Sequence, residues 1–373
     1  SGPGPRSLVT GDFNGDGALD VAGVNSGEFV LVLLNNGHGG FSPAVRYRAS
    51  YGPRALAMGD FDRDGALDLV TANNGVRSAS VLMGIGDGTF SPAFNVQLGD
   101  RPYDVAVGEL DDDGLLDLVL TDDGISSPPS GVIIVPGNGD GTFGEPVKYE
   151  AGQRASAVVL HDFDADGHQD VLIGDSMADN AWLFEGNGDG TLRPPVRAGV
   201  TGSYSICIGD LDGKNGLDLV AGRTTFVTVV LSDESGSLFA RAEYPTGYGD
   251  PSPLAVADFN SDGEQDLIYS LWHGHEVSLL LGVGDGTFVP GETFPTPLWP
   301  GSPVPGDIDG DGQTDAVGPP SRADQVPVLT GNAAGSFAPG RTYPAGAEPR
   351  FGVIGDVDQD GRDDVIAVSR HTN

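Results

Sequence analysis

Residues 60–68 read Asp60-Phe61-Asp62-Arg63-Asp64-Gly65-Ala66-Leu67-Asp68, and this pattern recurs so that the chain holds eight copies, one of them degraded. Side chains with oxygen atoms occupy positions 1, 3, 5 and 9 of the loop, and glycine occupies position 6. Carboxylates held this close together oppose one another's ionisation, and a cation removes that repulsion. Glycine permits the sharp turn that brings alternate side chains round one ion. The pattern therefore predicts a loop for Ca²⁺, which takes about six to eight oxygen ligands.

An EF-hand loop has a similar opening, but it requires a glutamate at position 12 and a helix on each side. Position 12 is Gly23 in the first copy and Thr71 in the second. The flanks of the second copy, Leu56-Ala57-Met58 and Leu69-Val70, are short apolar runs typical of strands. We therefore interpret each copy as a Ca²⁺ loop inside a β-hairpin. Acidic turns without metal would not explain four oxygens at fixed offsets.

The spacing of the copies predicts a repeat architecture. The loops begin at residues 12, 60, 109, 162, 210, 258, 307 and 356. A repeat near 50 residues with several short strands per unit is typical of a β-propeller, an all-β fold. Each unit contains four strand-like segments, which in the third unit are residues 103–107 (A), 118–120 (B), 132–135 (C) and 146–149 (D).

The units start near residues 1, 49, 98, 150, 199, 247, 296 and 345, and we expect residues 1–373 to form a single propeller domain. The eighth unit stops after its strand B. Eight A strands favour eight four-stranded blades with an incomplete last blade. The alternative is seven blades and an additional hairpin.

The turn between strands C and D is a second motif, which reads Gly84-Ile85-Gly86-Asp87-Gly88-Thr89-Phe90 in the second unit. Gly-Asp-Gly supplies the positive φ angles of a tight hairpin. We expect the aromatic residue at its end to pack between blades. The glycines do not indicate a phosphate site, because no helix pattern or P-loop lysine follows them.

Composition excludes several classes of partner. The chain has 54 Asp and Glu against 19 Lys and Arg, for a net charge of −35. Nucleic acid and anionic membrane surfaces both require basic patches, so neither is an expected partner. No apolar run approaches the ~18 residues of a membrane-spanning helix. Cys207 is the only cysteine, so it forms no internal disulfide and is expected to be a small buried hydrophobe.

The acidic loop and the Gly-x-Gly-Asp-Gly-x-Phe turn together resemble the repeats of the FG-GAP/VCBS family, and the resemblance covers essentially residues 1–373. That family includes the head propeller of integrin α subunits and many secreted bacterial proteins. The Gly-Ala-Pro tripeptide expected after strand B in integrins is absent, since Thr71-Ala72-Asn73 stands there. The resemblance therefore implies a calcium-binding propeller of the bacterial secreted kind and does not imply integrin function.

The resemblance also implies the metal ligands, one set in each of seven loops. They are Asp12, Asn14, Asp16 and Asp20; Asp60, Asp62, Asp64 and Asp68; Glu109, Asp111, Asp113 and Asp117; Asp162, Asp164, Asp166 and Asp170; Asp258, Asn260, Asp262 and Asp266; Asp307, Asp309, Asp311 and Asp315; and Asp356, Asp358, Asp360 and Asp364. In the fifth loop Lys214 occupies position 5 and Asn215 replaces the glycine. An ammonium group can take a cation's place among carboxylates, so we expect about seven structural Ca²⁺ ions and a fifth loop that is metal-free or weakly occupied.

The A–B turns, which are the acidic loops, and the C–D turns share one face of the propeller, and the B–C and D–A loops share the other. The B–C and D–A loops are irregular in sequence, and binding residues usually lie on such loops. The predicted ligand-binding residues there are Tyr51, Arg54, Arg101, Tyr103, Trp272 and Trp299. Alternatively, these side chains fill the channel mouth and pack between blades. No catalytic residue is assigned. His273 and His275 are weak candidates, because two histidines on one side of a strand could act as a base, and ordinary loop histidines are the alternative.

These observations predict a secreted, calcium-stabilised propeller that works outside the cell or at its surface. We expect it to be a monomeric binding or adhesion module whose partner is an extracellular glycan or protein. The alternative function is that of a carbohydrate-active enzyme of the polysaccharide lyase type on the same scaffold.

Overall fold

A computed structural model describes residues 5–25, 27–125, 128–177, 180–200, 205–214, 216–223, 225–233, 238–246, 251–271, 276–295, 303–318, 324–332, 334–338 and 341–371. Every regular element in these ranges is a β-strand. Accordingly, no long apolar helix suited to crossing a membrane occurs in the described ranges.

The strands form seven four-stranded antiparallel sheets, which are the blades. Blade one consists of β1 (Pro5–Gly11), β2 (Asp20–Asn25), β3 (Phe29–Leu33) and β4 (Val45–Arg48). Blade two consists of β5 (Pro53–Gly59), β6 (Asp68–Asn73), β7 (Ser78–Leu82) and β8 (Phe94–Gln97). Blade three consists of β9 (Pro102–Gly108), β10 (Asp117–Asp122), β11 (Gly131–Val135) and β12 (Val147–Glu150). Blade four consists of β13 (Ala155–His161), β14 (Asp170–Asp175), β15 (Asn180–Phe184) and β16 (Val196–Arg197).

The remaining blades follow the same order. Blade five consists of β17 (Ser205–Gly209), β18 (Asp218–Arg223), β19 (Phe226–Ser232) and β20 (Leu238–Pro245). Blade six consists of β21 (Pro251–Ala257), β22 (Asp266–Leu271), β23 (Glu276–Gly282) and β24 (Phe288–Pro295). Blade seven consists of β25 (Val304–Gly306), β26 (Asp315–Val317), β27 (Gln325–Leu329) and β30 (Arg341–Pro344), with β28 (Gly331–Asn332) and β29 (Ser336–Phe337) pairing within its C–D turn. The last two strands, β31 (Ala347–Gly355) and β32 (Asp364–His371), form a separate hairpin.

The blades are arranged radially. The first strands of successive blades contact one another, as β1 does β5, β5 does β9 and β9 does β13. These strands therefore surround the axis of the ring. All six residues of β6 and of β10 are buried, whereas β4 and β8 are mostly exposed. These middle strands are buried throughout because a neighbouring blade covers each of their faces.

The hydrophobic core consists of layers between neighbouring blades. The layer between blades one and two contains Phe13, Val30, Leu69 and Phe90. The rings of Phe13, in the first acidic loop, and Phe90, at the end of the next blade's C–D turn, meet edge to face at 5.6 Å. The prediction that the aromatic residue of the turn packs between blades is therefore confirmed at this position.

The propeller prediction is confirmed, and the number of blades is seven, the alternative, rather than the favoured eight. Within the described residues, the eighth repeat forms the two-stranded hairpin of β31 and β32. β31 contacts both β25 and β1. The side-chain amide of Asn35, in blade one, donates a hydrogen bond of 2.6 Å to the carbonyl of Val357 in the eighth loop. The hairpin thus lies between the last blade and the first and closes the ring.

Candidate functional site

Each acidic loop is wrapped by hydrogen bonds from its own backbone to its carboxylates. In the second loop, one oxygen of Asp60 accepts from the amide of Asp64 at 3.1 Å, and the other accepts from Gly65 at 3.0 Å. Arg63 and Gly65 both have positive φ, 62° and 90°. These left-handed residues turn the backbone amides toward the Asp60 side chain, which holds the loop closed.

Five loops bring three carboxylates together, with one oxygen of each within 4.8 Å of the others. These groups are Asp60, Asp62 and Asp68; Asp162, Asp164 and Asp170; Asp210, Asp212 and Asp218; Asp307, Asp309 and Asp311; and Asp356, Asp358 and Asp360. Such groups could hold metal ions. Among the described residues, the first, third and sixth loops do not meet this distance for three acidic side chains.

The three loops differ from the others in their sequence. In the first and sixth loops an asparagine stands at position 3, and its amide nitrogen donates to the aspartate at position 5, from Asn14 to Asp16 at 2.9 Å and from Asn260 to Asp262 at 2.8 Å. In the third loop the longer Glu109 still accepts a hydrogen bond from Gly114, the glycine at position 6. The ligand predictions for these loops, like those for the other four, remain predictions.

The aspartate at position 9 has a second role that the sequence analysis missed. Asp68 is fully buried, and its two oxygens accept hydrogen bonds of 2.7 Å from Phe61 in the acidic loop and from Gly84 in the C–D turn. The same double acceptor occurs at Asp20, Asp117, Asp170, Asp218, Asp266 and Asp315. Position 9 therefore ties the two turns on this face of each blade to one another.

The electrostatics of position 9 fit a bound cation. Burial raises the pKa of Asp68 to about 6, and the negative charges of Asp62 and Asp60 add to the rise. The pKa of Asp170 is likewise raised to about 6, mainly by burial. A carboxylate that is costly to ionise among other carboxylates is stabilised by an opposite charge a few ångströms away. The residues present therefore suit a divalent cation.

Among the described residues, a lysine or arginine lies within 4.0 Å of ligand-position carboxylates in the fourth and fifth loops. In the fifth loop the ammonium nitrogen of Lys214 lies 2.5 Å from Asp212, where the sequence analysis expected it to replace a cation. Asn215 lies outside the described residues. In the fourth loop, Arg193 lies 3.7 Å from Asp164 and 3.6 Å from Asp166, a contact that the loop pattern alone could not reveal because Arg193 follows the next turn.

Neighbouring acidic loops are joined through the C–D turns. The amide of Gly88, in the turn of blade two, donates to the carbonyl of Phe13, at position 2 of the first loop, at 2.9 Å. The amide of Gly141, in blade three, makes the same bond to Phe61 at 3.0 Å. Each of these turns is thus bonded to the loop of the preceding blade.

At the opposite end of the first strands, the structure brings four of the six predicted ligand-binding residues together. The guanidinium carbon of Arg54 lies 3.4 Å from the ring centroid of Tyr103. Arg101 donates to the backbone and side-chain oxygens of Asn74 at 3.0 and 3.1 Å. Tyr51 is 59% exposed. Tyr103 and Arg101 thus support their neighbours, while Tyr51 and Arg54 line a cavity.

The other predicted residues of this face, Trp272, Trp299, His273 and His275, lie outside the described residues. Their roles remain predictions.

Two cavities adjoin Tyr51. The larger, of about 650 Å³, is a groove between the outer parts of blades one and two, which we call the outer groove. Its lining includes Glu28, Arg46, Tyr47, Arg48, Ser50, Tyr51, Phe90 and Asn95. The smaller, of about 170 Å³, is the mouth cavity, and Arg6, Tyr51, Arg54 and Asn74 line it. Sequence reasoning missed Tyr47 and Arg6, because a tyrosine in an outer strand and an arginine in a first strand carry no motif.

Comparison with known families agrees with this architecture. The model of the FG-GAP-like repeat matches residues 12–71, 60–120, 110–173, 162–221 and 258–318. These segments make up more than half of the sequence, and the chain belongs to the FG-GAP-like repeat family. No curated protein matches the sequence.

Several solved structures share the fold. A lectin of Agrocybe aegerita, described for specific recognition of non-reducing terminal N-acetylglucosamine, is 22% identical with a TM-score of 0.57, covering 78% of this chain and 80% of its own. The periplasmic gluconolactonase PpgL of Pseudomonas aeruginosa is 15% identical with a TM-score of 0.55, covering 98% and 99%. BBS1N, solved in complex with ARL6DN, is 13% identical with a TM-score of 0.54, covering 92% and 94%. At these identities the likeness concerns the fold alone.

Proposed function

We propose that this propeller is a secreted binding module, stabilised by calcium, that recognises a glycan in the outer groove. The observation that carries the proposal is the lining of that groove. Tyr51 is 59% exposed and Tyr47 is half-buried, so both can offer ring surface to a ligand, and the polar lining includes Glu28, Arg46, Arg48, Ser50 and Asn95. Sugars present both apolar C–H faces and hydroxyl groups, and a tyrosine ring with a polar tip suits both.

The size of the groove supports a small ligand. Its volume of about 650 Å³ lies within the ~300–1,000 Å³ of typical ligand sites. The lectin of similar fold recognises a terminal sugar, and BBS1N is found with a protein partner, so the architecture serves both kinds of ligand. The polar groups between the rings of the groove favour a glycan here.

The acidic loops supply stability in this proposal. The carboxylates at positions 1, 3, 5 and 9, such as those of Asp60, Asp62, Asp64 and Asp68, would hold Ca²⁺, and the ion would neutralise their mutual repulsion. Oxygen ligands of this number and charge suit Ca²⁺, and its high concentration outside cells agrees with a secreted protein. Binding to the folded state alone stabilises by about 2.7 kcal/mol per site at a hundredfold excess of ion over Kd.

A glycan array tests the binding proposal. Wild-type protein with calcium present should bind a defined set of glycans, and Tyr51→Ala should lose most of that signal. Tyr343→Ala is the matched control, because Tyr343 is similarly exposed, at 48% against 59%, and lies on the outer strand of blade seven. Equal binding by all three proteins would contradict a site in the outer groove, and binding of no glycan at all would contradict the function.

The alternative function, a polysaccharide lyase, depends on His273 and His275. An assay for new unsaturated ends on uronate polymers, run beside the array, separates the two hypotheses. Turnover that disappears in His273→Ala would favour the enzyme.

A further inference from the structure

Three arginines meet at the end of the channel opposite the acidic loops. Arg6 and Arg54 are the second residues of β1 and β5, and Arg154 immediately precedes β13. None of the three has a carboxylate oxygen within 4.0 Å among the described residues. In a chain with 54 acidic residues, three unpaired guanidinium groups at one location require an explanation.

Two of the three side chains, Arg54 and Arg154, share one aromatic support. The guanidinium carbon of Arg54 lies 3.4 Å from the centroid of the Tyr103 ring, and that of Arg154 lies 5.7 Å from it. Burial lowers the pKa of Arg54, and the positive charges of Arg6 and Arg154 lower it further. The Nε atom of Arg154 is buried and has no hydrogen-bond partner among the described residues. The group therefore has positive charge and donors that the protein itself does not satisfy.

The carboxylates near the arginines accept hydrogen bonds from the backbone, as Asp175 does from the amides of Gln153 and Arg154. Arg101 lies 3.7 Å from Asp123 and donates a hydrogen bond to Asn74. The charges of Arg101 and Asp123 therefore balance each other. The carboxylate of Asp104 attracts Arg54 at longer range; it is half-buried, and burial raises its pKa. Asp104 also accepts hydrogen bonds from the amides of Val105 and Val158. Its oxygens are therefore occupied by the backbone.

The mouth cavity and the outer groove share one lining residue. Tyr51 lines both cavities, and Arg6 and Arg54 line the mouth cavity beside it. A volume of about 170 Å³ is below that of typical ligand sites, so it suits a single group of a larger ligand. A sugar stacked on Tyr51 would place its substituents between the two cavities.

We propose that the mouth cavity binds the carboxylate of an acidic sugar, so that the ligand is a glycan containing uronic acid. This inference rests on the proposed glycan-binding function and names the class of glycan. Arg6 and Arg54 hold the carboxylate, since the planar fork of a guanidinium matches the two oxygens of a carboxylate. Tyr51 stacks against the sugar ring, and neighbouring sugars occupy the outer groove.

The net charge of the chain does not prevent such a ligand from binding. Arg54 and the second acidic loop lie at opposite ends of β5, whose seven residues span about 20 Å at roughly 3.3 Å per residue. Exposed charges at physiological salt are screened over about 8 Å. The acidic loops therefore contribute little to the potential at the mouth cavity.

The test uses matched pairs of glycans on the full chain with calcium present. Each uronate oligosaccharide, including a hyaluronan tetrasaccharide, is compared with its carboxyl-reduced neutral counterpart, and the array also holds neutral and sulfated glycans. Wild-type protein should bind the acidic member of a pair more tightly. Titration calorimetry with the hyaluronan tetrasaccharide should show Arg6→Gln weakening the Kd by about ten- to a hundredfold, as expected for a lost hydrogen bond to a charged group.

Two further variants keep the test decisive. Arg54→Gln should act like Arg6→Gln, but Arg54 is half-buried against Tyr103, so the exposed Arg6 gives a result even if Arg54→Gln fails to fold. Arg341→Gln, on the exposed outer strand of blade seven, removes the same charge elsewhere and should leave the Kd unchanged.

Each alternative outcome has a distinct meaning. Equal binding of the acidic and neutral members of the pairs, or an equal loss in the Arg6 and Arg341 variants, would overturn the inference and leave glycan binding standing. A preference for sulfated glycans without uronate would overturn the assignment to a carboxylate. Binding to no glycan would overturn the inference together with the proposed function.

Discussion

Replacing Asp68 with asparagine should destabilise the propeller more than the same change at Asp364. Both residues occupy position 9 of an acidic loop, and both substitutions remove one negative charge from a candidate metal site. Asp68 accepts two backbone hydrogen bonds of 2.7 Å, from Phe61 and from Gly84. Among the described residues, Asp364 accepts only one, from Val357 at 3.1 Å. The two sites therefore differ in the bond to the C–D turn and also in burial, since Asp68 is fully buried and Asp364 is half-buried.

The expected difference in stability between the two variants follows from the number of backbone hydrogen bonds that each aspartate accepts. Asparagine has one side-chain oxygen, so Asp68→Asn can satisfy one of the two buried amides and turns its own NH₂ group toward the other. A buried donor without an acceptor costs about 1–3 kcal/mol. Asp364→Asn keeps an oxygen for its single partner. We therefore expect Asp68→Asn to lose about 1–3 kcal/mol more of the free energy of unfolding than Asp364→Asn.

Urea unfolding followed by circular dichroism measures this difference with both variants saturated with calcium. Hydrogen exchange provides a local measurement, because residues 84–90 should exchange faster in Asp68→Asn, in which the turn loses its anchor. Equal losses of stability in the two variants, with unchanged exchange at residues 84–90, would refute the role assigned to position 9.

Four other results are expected. Chelation of calcium should lower the melting temperature strongly, since each site adds about 2.7 kcal/mol at a hundredfold excess of ion, and an unchanged melt would contradict a structural role for the ions. Lys214→Asp combined with Asn215→Gly restores the loop pattern and should add one bound Ca²⁺ per chain in equilibrium dialysis, whereas an unchanged stoichiometry would contradict replacement of the ion by lysine. Ala165 has a φ of 56°, so Ala165→Gly should raise the free energy of unfolding, measured with urea, by about 0.5–1 kcal/mol. Ala66→Gly, at a position without positive φ, should lower it. A higher free energy of unfolding for Ala66→Gly than for Ala165→Gly would refute the argument. Cys207 is half-buried, and burial raises the pKa of its thiol to about 12, so the thiol should react with a disulfide reagent at pH 8 about a thousandfold more slowly than an ordinary thiol and faster as pH rises; rapid labelling of the folded protein would contradict the raised pKa.

The repeat, the strand order and the packing of the turn aromatics could all be predicted from the sequence, because they depend on local patterns that occur many times. Glycine at position 6 and the spacing of the acids define the hairpin before any long-range contact forms. The number of blades could not be predicted in this way. The last hairpin, residues 347–371, is as apolar as the others, and its sequence does not say whether two strands count as a blade.

The candidate sites were predicted unevenly for a related reason. The acidic loops are local in sequence, so their residues were found by spacing. The link from Asp68 to Gly84 and the contact of Arg193 with Asp164 join different turns and are visible only in three dimensions. The two cavities beside Tyr51 combine residues from blades one and two. Tyr51 and Arg54 could be predicted from the sequence, whereas Arg6 and Tyr47 could not.

The backbone hydrogen bonds from Gly88 to Phe13 and from Gly141 to Phe61 are the same at successive blade junctions, so one repeat can stand in the place of another. Every such unit offers a carbonyl to the following unit and an amide to the one before it, so a duplicated copy already has the correct group on each side. An ancestral chain could therefore lengthen by copying one unit without altering the flanking ones. The size of the ring would then be decided by how many copies fit before the first and last come into contact.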